Sequence, residues 1–292
     1  MIVITGATGA LNGATAEHLL DRRPVNEIAI AVREPAKARH FADRGVEVRH
    51  GDYADPASLT SAFAGADQIL LVSSSDPSAD AVSLHAAAID AAVSAGARRI
   101  FYTSHQGAAS DNPFGPARDH AATERLLAQS GVAWTTLRNG FYAHTLDMLM
   151  GPWRETGSIV VPGDGPVSWT AREDAAEAAA VIISTGAAVD GPMTLTASAA
   201  PTFEEIAGIA SQVAGSPVAL KIVEPEDWVA SQVAAGRSEL LAQFTLGIYQ
   251  AAQEGYFAQT DPALATLLGR EPRTVADALA DLGGRLRRGR GA

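Results

Sequence analysis

The chain has 292 residues, 47% hydrophobic and 19% charged, with 27 Gly and 15 Pro; at roughly 100–200 residues per domain this is one large unit or two joined ones with a real core, and not a disordered or fibrous chain. The absence of cysteine excludes disulfides, thiolate zinc sites, iron–sulfur clusters and cysteine nucleophiles together. A formal net charge of −11 opposes a phosphate backbone, so no nucleic-acid partner is expected.

Short β-rich runs at Ile2–Thr5, Glu27–Val32, Val46–Arg49, Gln68–Val72, Arg99–Thr103 and Ala133–Leu137 alternate with longer Ala-rich helical patterns. Strands separated by helices at this spacing predict a parallel sheet covered on both faces, a doubly wound α/β fold. Ligands of such sheets bind beyond the carboxyl ends of the strands, so the residues after each run are the candidates. After the first run stand Gly6, Ala7, Thr8, Gly9, Ala10 and Leu11, opening a helical segment. Glycines there let the backbone turn sharply and bring its N–H groups against a diphosphate on the positive end of the helix.

The second run ends in Arg33, Glu34 and Lys37, about twenty residues beyond the glycine turn, where a dinucleotide fold tests the adenosine ribose. A cation there receives the extra phosphate of NADP, so Arg33 and Lys37 favour NADPH as the cofactor; the alternative is that both are solvated and Glu34 takes the ribose of NAD. Asp52 follows the third run and is a candidate for the adenine amino group or for a helix cap, although Asp55 is better placed to cap. Ser73, Ser74 and Ser75 lie beyond the fourth run, and Thr103, Ser104 and His105 beyond the fifth. These small hydroxyl residues suit the nicotinamide ribose, and equally suit ordinary loops.

None of the five tyrosines has lysine four residues later; those positions hold Ala57, Gln106, Leu146, Gln253 and Thr260. The usual proton donor of ketone and alcohol dehydrogenases is therefore missing. His-Glu-x-x-His, Gly-x-Ser-x-Gly and P-loop patterns are missing too, and the seven histidines lack ligand spacing, so no metal is expected. A quinone accepts hydride strongly and gives a stabilised phenolate, so positioning and a few dipoles suffice, with water supplying the proton.

Ile4-Thr5-Gly6-Ala7-Thr8-Gly9, Val32-Arg33-Glu34-Pro35-Ala36-Lys37, Gly51-Asp52-Tyr53, Tyr102-Thr103-Ser104, His120 with Thr123-Glu124, Leu137-Arg138-Asn139-Gly140-Phe141-Tyr142 and Leu268-Gly269-Arg270-Glu271-Pro272 together resemble the NmrA-like atypical short-chain dehydrogenases, and within them the type 2 quinone oxidoreductases. The resemblance covers nearly the whole chain. It implies a Rossmann domain with a smaller carboxyl-terminal α/β substrate domain, NADPH binding and quinone reduction. It places Gly6, Ala7, Thr8, Gly9, Leu11 and Arg33 on the cofactor phosphates, and Asn139, Phe141 and Tyr142 near nicotinamide and acceptor. Position 12, where the family has a third glycine, holds Asn12 with Gly13 next, which puts cofactor packing in question. His120 and Glu124 stand where the lost tyrosine and lysine would be; His120 is a proton-relay candidate or a solvated histidine near a helix start.

Beyond Tyr142 the alternation breaks at Gly151-Pro152, Gly157 and Pro162-Gly163-Asp164-Gly165-Pro166. A helix through about Ser184, a strand near Met193–Thr196 and helices at Phe203–Ala214, Pro225–Ala235, Ser238–Glu254, Pro262–Leu268 and Val275–Leu282 are predicted. The domains expected are 1–142, with later segments returning to the sheet, and 143–292, ending in a basic tail at 285–292. Trp153, Trp169, Trp228, Phe244, Tyr249, Tyr256 and Phe257 either line an apolar acceptor pocket or fill helix cores. The longest apolar stretches, such as Ala178–Ile183, fall far short of the roughly 18 residues of a membrane span. No basic leader precedes Ile2–Ile4, so the cytoplasm is the expected location. The leading expectation is a reductase of a hydrophobic quinone-like acceptor, with homodimerisation open; the rivals are a dinucleotide sensor with a protein partner and a tailoring reductase of a specialised metabolite.

Overall fold

The computed structural model describes residues 1–74 and 79–281. Ser75, Leu282 and the basic tail at 285–292 lie outside the described residues. The chain forms two compact units, one of 1–110, 117–139 and 175–195, the other of 111–116, 140–174 and 196–292. The units change over after Asn139, three residues before 142, and the returning segment is 175–195.

In chain order the first unit begins β1 (Ile2–Thr5), α1 (Ala10–Leu20), β2 (Ile28–Val32), α2 (Arg39–Ala42), β3 (Glu47–His50), α3 (Pro56–Ala62), β4 (Gln68–Leu71), α4 (Ala81–Ser94) and β5 (Arg99–His105). It continues with α5 (Gly115–Gln129) and β6 (Ala133–Asn139). The second unit contains α6 (Leu146–Leu149), α7 (Trp153–Thr156) and β7 (Ser158–Val161). Helix α8 (Arg172–Thr185) then leads back to β8 (Gly191–Leu195) of the first unit. The rest of the second unit is α9 (Phe203–Ala214), β9 (Ala219–Ile222), α10 (Pro225–Ala234), α11 (Glu239–Gln253) and α12 (Ala263–Leu268), and helical residues run from 275 to the last described residue, 281.

The seven-stranded sheet has the order β3-β2-β1-β4-β5-β6-β8, parallel throughout, as the alternation of the sequence predicts. Strand order reverses between β1 and β4, which opens a crevice at their carboxyl ends. Alternate strand residues Val3, Ala29, Ala31, Ile69, Leu71, Ile100 and Tyr102 share one sheet face and pack on Leu59 and Phe63 of the α3 region, Ile89 and Ala92 of α4 and Leu127 of α5. Small residues on β2 leave room for the helices to approach the sheet closely.

Two strands are additions to the sequence reading. β7 and β9 pair in parallel, Ser158 opposite Ala219 and Val161 opposite Ile222, where the Gly and Pro punctuation at 157 and 162–166 suggests only turns. Five of the seven candidate aromatics, Trp153, Trp169, Trp228, Tyr249 and Phe257, are core side chains of the second unit. Tyr249 donates its phenol hydrogen to the Leu149 carbonyl at 2.7 Å, satisfying the polar end of a buried ring. Phe244 alone among the seven is exposed.

Candidate active site

At the end of β1 the backbone turns on Gly6, whose φ of +66° is strained for any L side chain, and a Cβ there would stand 2.5 Å from Val72 Cγ1. Gly9 N–H closes the turn onto the Gly6 carbonyl at 2.9 Å. Gly9 is also the N-cap of α1 and provides no side-chain cap, so the N–H groups of Ala10 and Leu11 at the helix start have no intrahelical acceptor. That is the arrangement that receives a diphosphate. Ala7 is buried under the turn.

Asn12 does not crowd this turn. It is 1% exposed and donates from Nδ2 to the Thr5 carbonyl at 2.8 Å, tying α1 to the end of β1. Close approach of helix and loop is carried by Gly13 instead, where a Cβ would meet the Ala7 carbonyl oxygen at 2.8 Å. The glycine requirement has moved one position along the helix.

A cleft of about 410 Å³ runs from this turn across the ends of β2, β3 and β4. Thr5, Gly6, Thr8 and Gly9 line one end, Arg33, Glu34, Lys37 and Asp52 another, and Ser73 and Ser74 a third. Arg33 is exposed and carries no hydrogen bond or ion pair among the described residues. Lys37 is engaged: its Nζ lies 2.6 Å from Glu34 Oε1. The carboxylate that would serve the ribose of NAD is thus held by the lysine, and the guanidinium is left for a ligand. Asp52 accepts from Ala54 N–H at 3.0 Å, while Asp55 caps α3 by accepting from Ala57 N–H at 3.2 Å.

Tyr53, quoted in the sequence motif without a role, lines the same cleft. Its hydroxyl lies 2.6 Å from Thr5 Oγ1 and donates to the Val72 carbonyl at 3.1 Å, clamping the ends of β1 and β4. Burial pushes the phenol pKa up, so it serves as a neutral clamp.

The hydroxyls at the end of β5 are spent inside the protein. Thr103 Oγ1 accepts from Ser73 N–H at 2.8 Å, and Ser104 donates to Glu124 Oε1 at 2.7 Å. Glu124, 7% exposed, also accepts from Thr136 Oγ1 at 3.1 Å and from Arg138 Nε at 2.9 Å. The residue at the position of the lost lysine is therefore a buried, fully partnered carboxylate.

His120 is half-buried rather than solvated, with its Nδ1 2.9 Å from the Tyr102 hydroxyl and its ring stacked on His105 at 6.2 Å between centroids. Burial, aided by the neighbouring His105, holds its pKa well below the usual imidazole range. His85, 2% exposed, accepts from Ser74 N–H at Nε2 (2.7 Å), and burial lowers its pKa to about 4. Two histidines that look scattered in the sequence, His85 and His120, thus meet at Tyr102, and His105 reaches the group only through its stack on His120. Their separations give no local signal; alternation along β5 is the only hint that Tyr102 faces α4 and α5.

Asn139 closes β6 in the first unit, 2% exposed, with its carbonyl accepting from Gln106 N–H at 2.9 Å. Phe141 and Tyr142 belong to the second unit. Phe141 packs on Phe257, Trp169 and Phe114 with ring centroids 5.2, 5.5 and 5.8 Å away. Tyr142 is half-buried and stacks on His144 at 5.8 Å.

Residues 6–186 match the NAD(P)H-binding family. Over 283 residues the chain is 34% identical to Quinone oxidoreductase 2 of Escherichia coli (strain K12), covering 97% of this chain and 98% of that protein. The crystal structure of the NADPH-dependent quinone oxidoreductase from E. coli complexed with NADPH matches with a TM-score of 0.89 at 34% identity, over 97% of this chain and 99% of that one. The triphenylmethane reductase of Citrobacter sp. complexed with NADP(H) matches at 0.85 and 34% identity, over 96% and 99%. The likeness extends over the parallel sheet and nearly the whole chain, and the chain is a member of the NAD(P)H-binding, NmrA-like family.

Proposed function

We propose that the protein is an NADPH-dependent oxidoreductase that reduces a quinone or a similarly activated conjugated acceptor. The observation that carries the cofactor preference is Arg33, which lines the cleft with no partner among the described residues while Lys37 occupies Glu34. The residues fit the group: the N–H groups at the start of α1 and the turn at Gly6 to Gly9 take the diphosphate, and Arg33 takes the 2′-phosphate. Asp52 would hold the adenine end, and Ser73 and Ser74, which line the same cleft, would border the nicotinamide ribose. Bound NADPH supplies a hydride. Asn139 and His120 are the polar side chains assigned to the reacting end, and Phe141 and Tyr142 the aromatic ones assigned to the acceptor. The names of the relatives support a conjugated acceptor, since one is named for quinones and another is a triphenylmethane reductase.

The chemistry needs no tyrosine acid. Hydride arriving at a quinone gives an aromatic oxyanion, which hydrogen bonds stabilise until water protonates it. The test is the loss of reduced-nicotinamide absorbance on adding benzoquinone and naphthoquinones, with NADPH and NADH compared. Turnover favouring NADPH is expected. Saturation with NADPH and no turnover across the quinone panel overturns the reductase reading.

A further inference from the structure

Tyr102 is 0% exposed and lies on β5 between two histidines. Its hydroxyl oxygen is 2.9 Å from His120 Nδ1 and 3.4 Å from His85 Nδ1. The protons in this cluster can be placed one after another. Ser74 N–H is a donor only, so His85 Nε2 must accept, and neutral His85 carries its hydrogen on Nδ1. That hydrogen faces Thr123 Oγ1 at 2.8 Å, and Thr123 is free to accept because its own hydrogen goes to the Asp119 carbonyl at 2.8 Å. Tyr102 therefore finds no acceptor on His85. A buried phenol needs an outlet for its hydrogen, and His120 Nδ1 is the acceptor in reach. His120 then holds its proton on Nε2. Among the described residues that nitrogen has no hydrogen-bond partner, and it is not sealed from solvent.

We propose that Tyr102, left by His85 with no other acceptor, is a positioning residue that locks His120 in the Nε2–H tautomer, so that this N–H donates a hydrogen bond to the acceptor oxygen as hydride reaches the substrate. The inference rests on the reductase reading and deepens it. The acceptor gains a hydride and becomes an oxyanion, His120 keeps its proton while stabilising that charge, and water delivers the proton that completes the reduced product. A neutral imidazole suits the role, because it donates without bringing a charge into a buried cluster. Glu124, the other group at the lost dyad, is excluded because Ser104, Thr136 and Arg138 Nε occupy Oε1 and Arg138 Nη2 occupies Oε2.

The test is long-range 1H–15N NMR of histidine-labelled protein without substrate, paired with steady-state kinetics. Wild type should show His120 as the Nε2–H tautomer. Tyr102→Phe should give a mixture of tautomers, with kcat down about tenfold and KM for NADPH and quinone within twofold. His120→Gln, which keeps an amide N–H donor, should retain more activity than His120→Ala. An Nδ1–H tautomer in wild type, or Tyr102→Phe with unchanged tautomer and kcat, overturns the proposal. Should Tyr102→Phe fail to fold, the wild-type tautomer and the Gln against Ala comparison decide alone. A wild-type protein inert towards every quinone overturns the reductase reading, whereas quinone turnover with an Nδ1–H tautomer, or with Tyr102→Phe unaffected, overturns this role alone.

Discussion

Lys37 Nζ stands 2.6 Å from Glu34 Oε1, and this contact divides the labour of three charged residues at the end of β2. Both side chains are largely exposed, 64% and 63%, so the pair adds little stability. Its consequence is chemical: the lysine engages the carboxylate, while Arg33 has no hydrogen bond or ion pair among the described residues.

Arg33→Glu is expected to weaken NADPH by roughly tenfold to a hundredfold, the worth of a charge-assisted contact to phosphate, and NADH by much less. Lys37→Met frees Glu34 for a ribose hydroxyl and should narrow the preference for NADPH from the other side. Titration calorimetry with both nucleotides reads the two effects. Equal losses for NADPH and NADH in Arg33→Glu would remove the assignment of Arg33.

At the glycine turn, Gly6→Ala combines a φ of +66° with a Cβ 2.5 Å from Val72 Cγ1. The expected cost is about 2–4 kcal/mol, with NADPH binding lost, since neither strain nor overlap can relax without moving the turn. Asn12→Gly should behave oppositely. It loses the hydrogen bond to the Thr5 carbonyl and gains backbone freedom, costing about 1–2 kcal/mol in chemical denaturation while NADPH affinity stays within threefold. A large loss of affinity in Asn12→Gly would mean that the asparagine shapes the cofactor site directly.

His85 gives the protein an acid sensitivity of definite sign. Burial lowers its pKa to about 4 from the ordinary 6.5, so the unfolded chain takes up the proton first. The stability this histidine contributes is complete above about pH 6.5 and is lost as pH falls towards 4, at up to about 1.4 kcal/mol per pH unit. Burial moves His105 the same way, also to about 4. Urea denaturation from pH 7 to 4.5 should show a shallower pH slope in His85→Gln than in wild type. Parallel slopes would contradict this.

Asp174 anchors the last described segment of the second unit. Its side chain is 0% exposed and accepts from Arg270 Nη2 at 2.9 Å and from Arg273 N–H at 2.6 Å. Arg270 is itself 43% exposed and can return to water, so Asp174→Ala should cost about 2 kcal/mol, less than a fully buried pair. Hydrogen exchange should accelerate over residues 270–281 before the sheet loosens; protection unchanged there would show that the segment is held by its apolar contacts alone.

The sheet and its nucleotide end are legible because their signals are local. Alternation of apolar strands with Ala-rich helices forces the parallel architecture, and Gly6, Gly9 and the cation at Arg33 stand at spacings that backbone geometry requires. The pair β7 and β9 escaped because four-residue strands with exposed residues such as Val160 and Ile222 carry little periodicity, and the Gly and Pro around them speak for turns. The aromatics of the second half are ambiguous for a similar reason: an aromatic side chain fits a core or a pocket equally well in sequence.

What the sequence by itself determined is the fold class, the diphosphate turn and the absence of a tyrosine–lysine dyad, all properties of residue type and short-range spacing. Only the tertiary structure decided that Lys37 holds Glu34, that Asn12 faces inward while Gly13 gives the close approach, and that His85, Tyr102 and His120 share one hydrogen-bond cluster. The reason is physical. Torsion and burial preferences act within a turn or two of chain, whereas the proton on His120 depends on groups 18 and 35 residues away, brought within bonding distance only when α4 and α5 pack on the same face of β5.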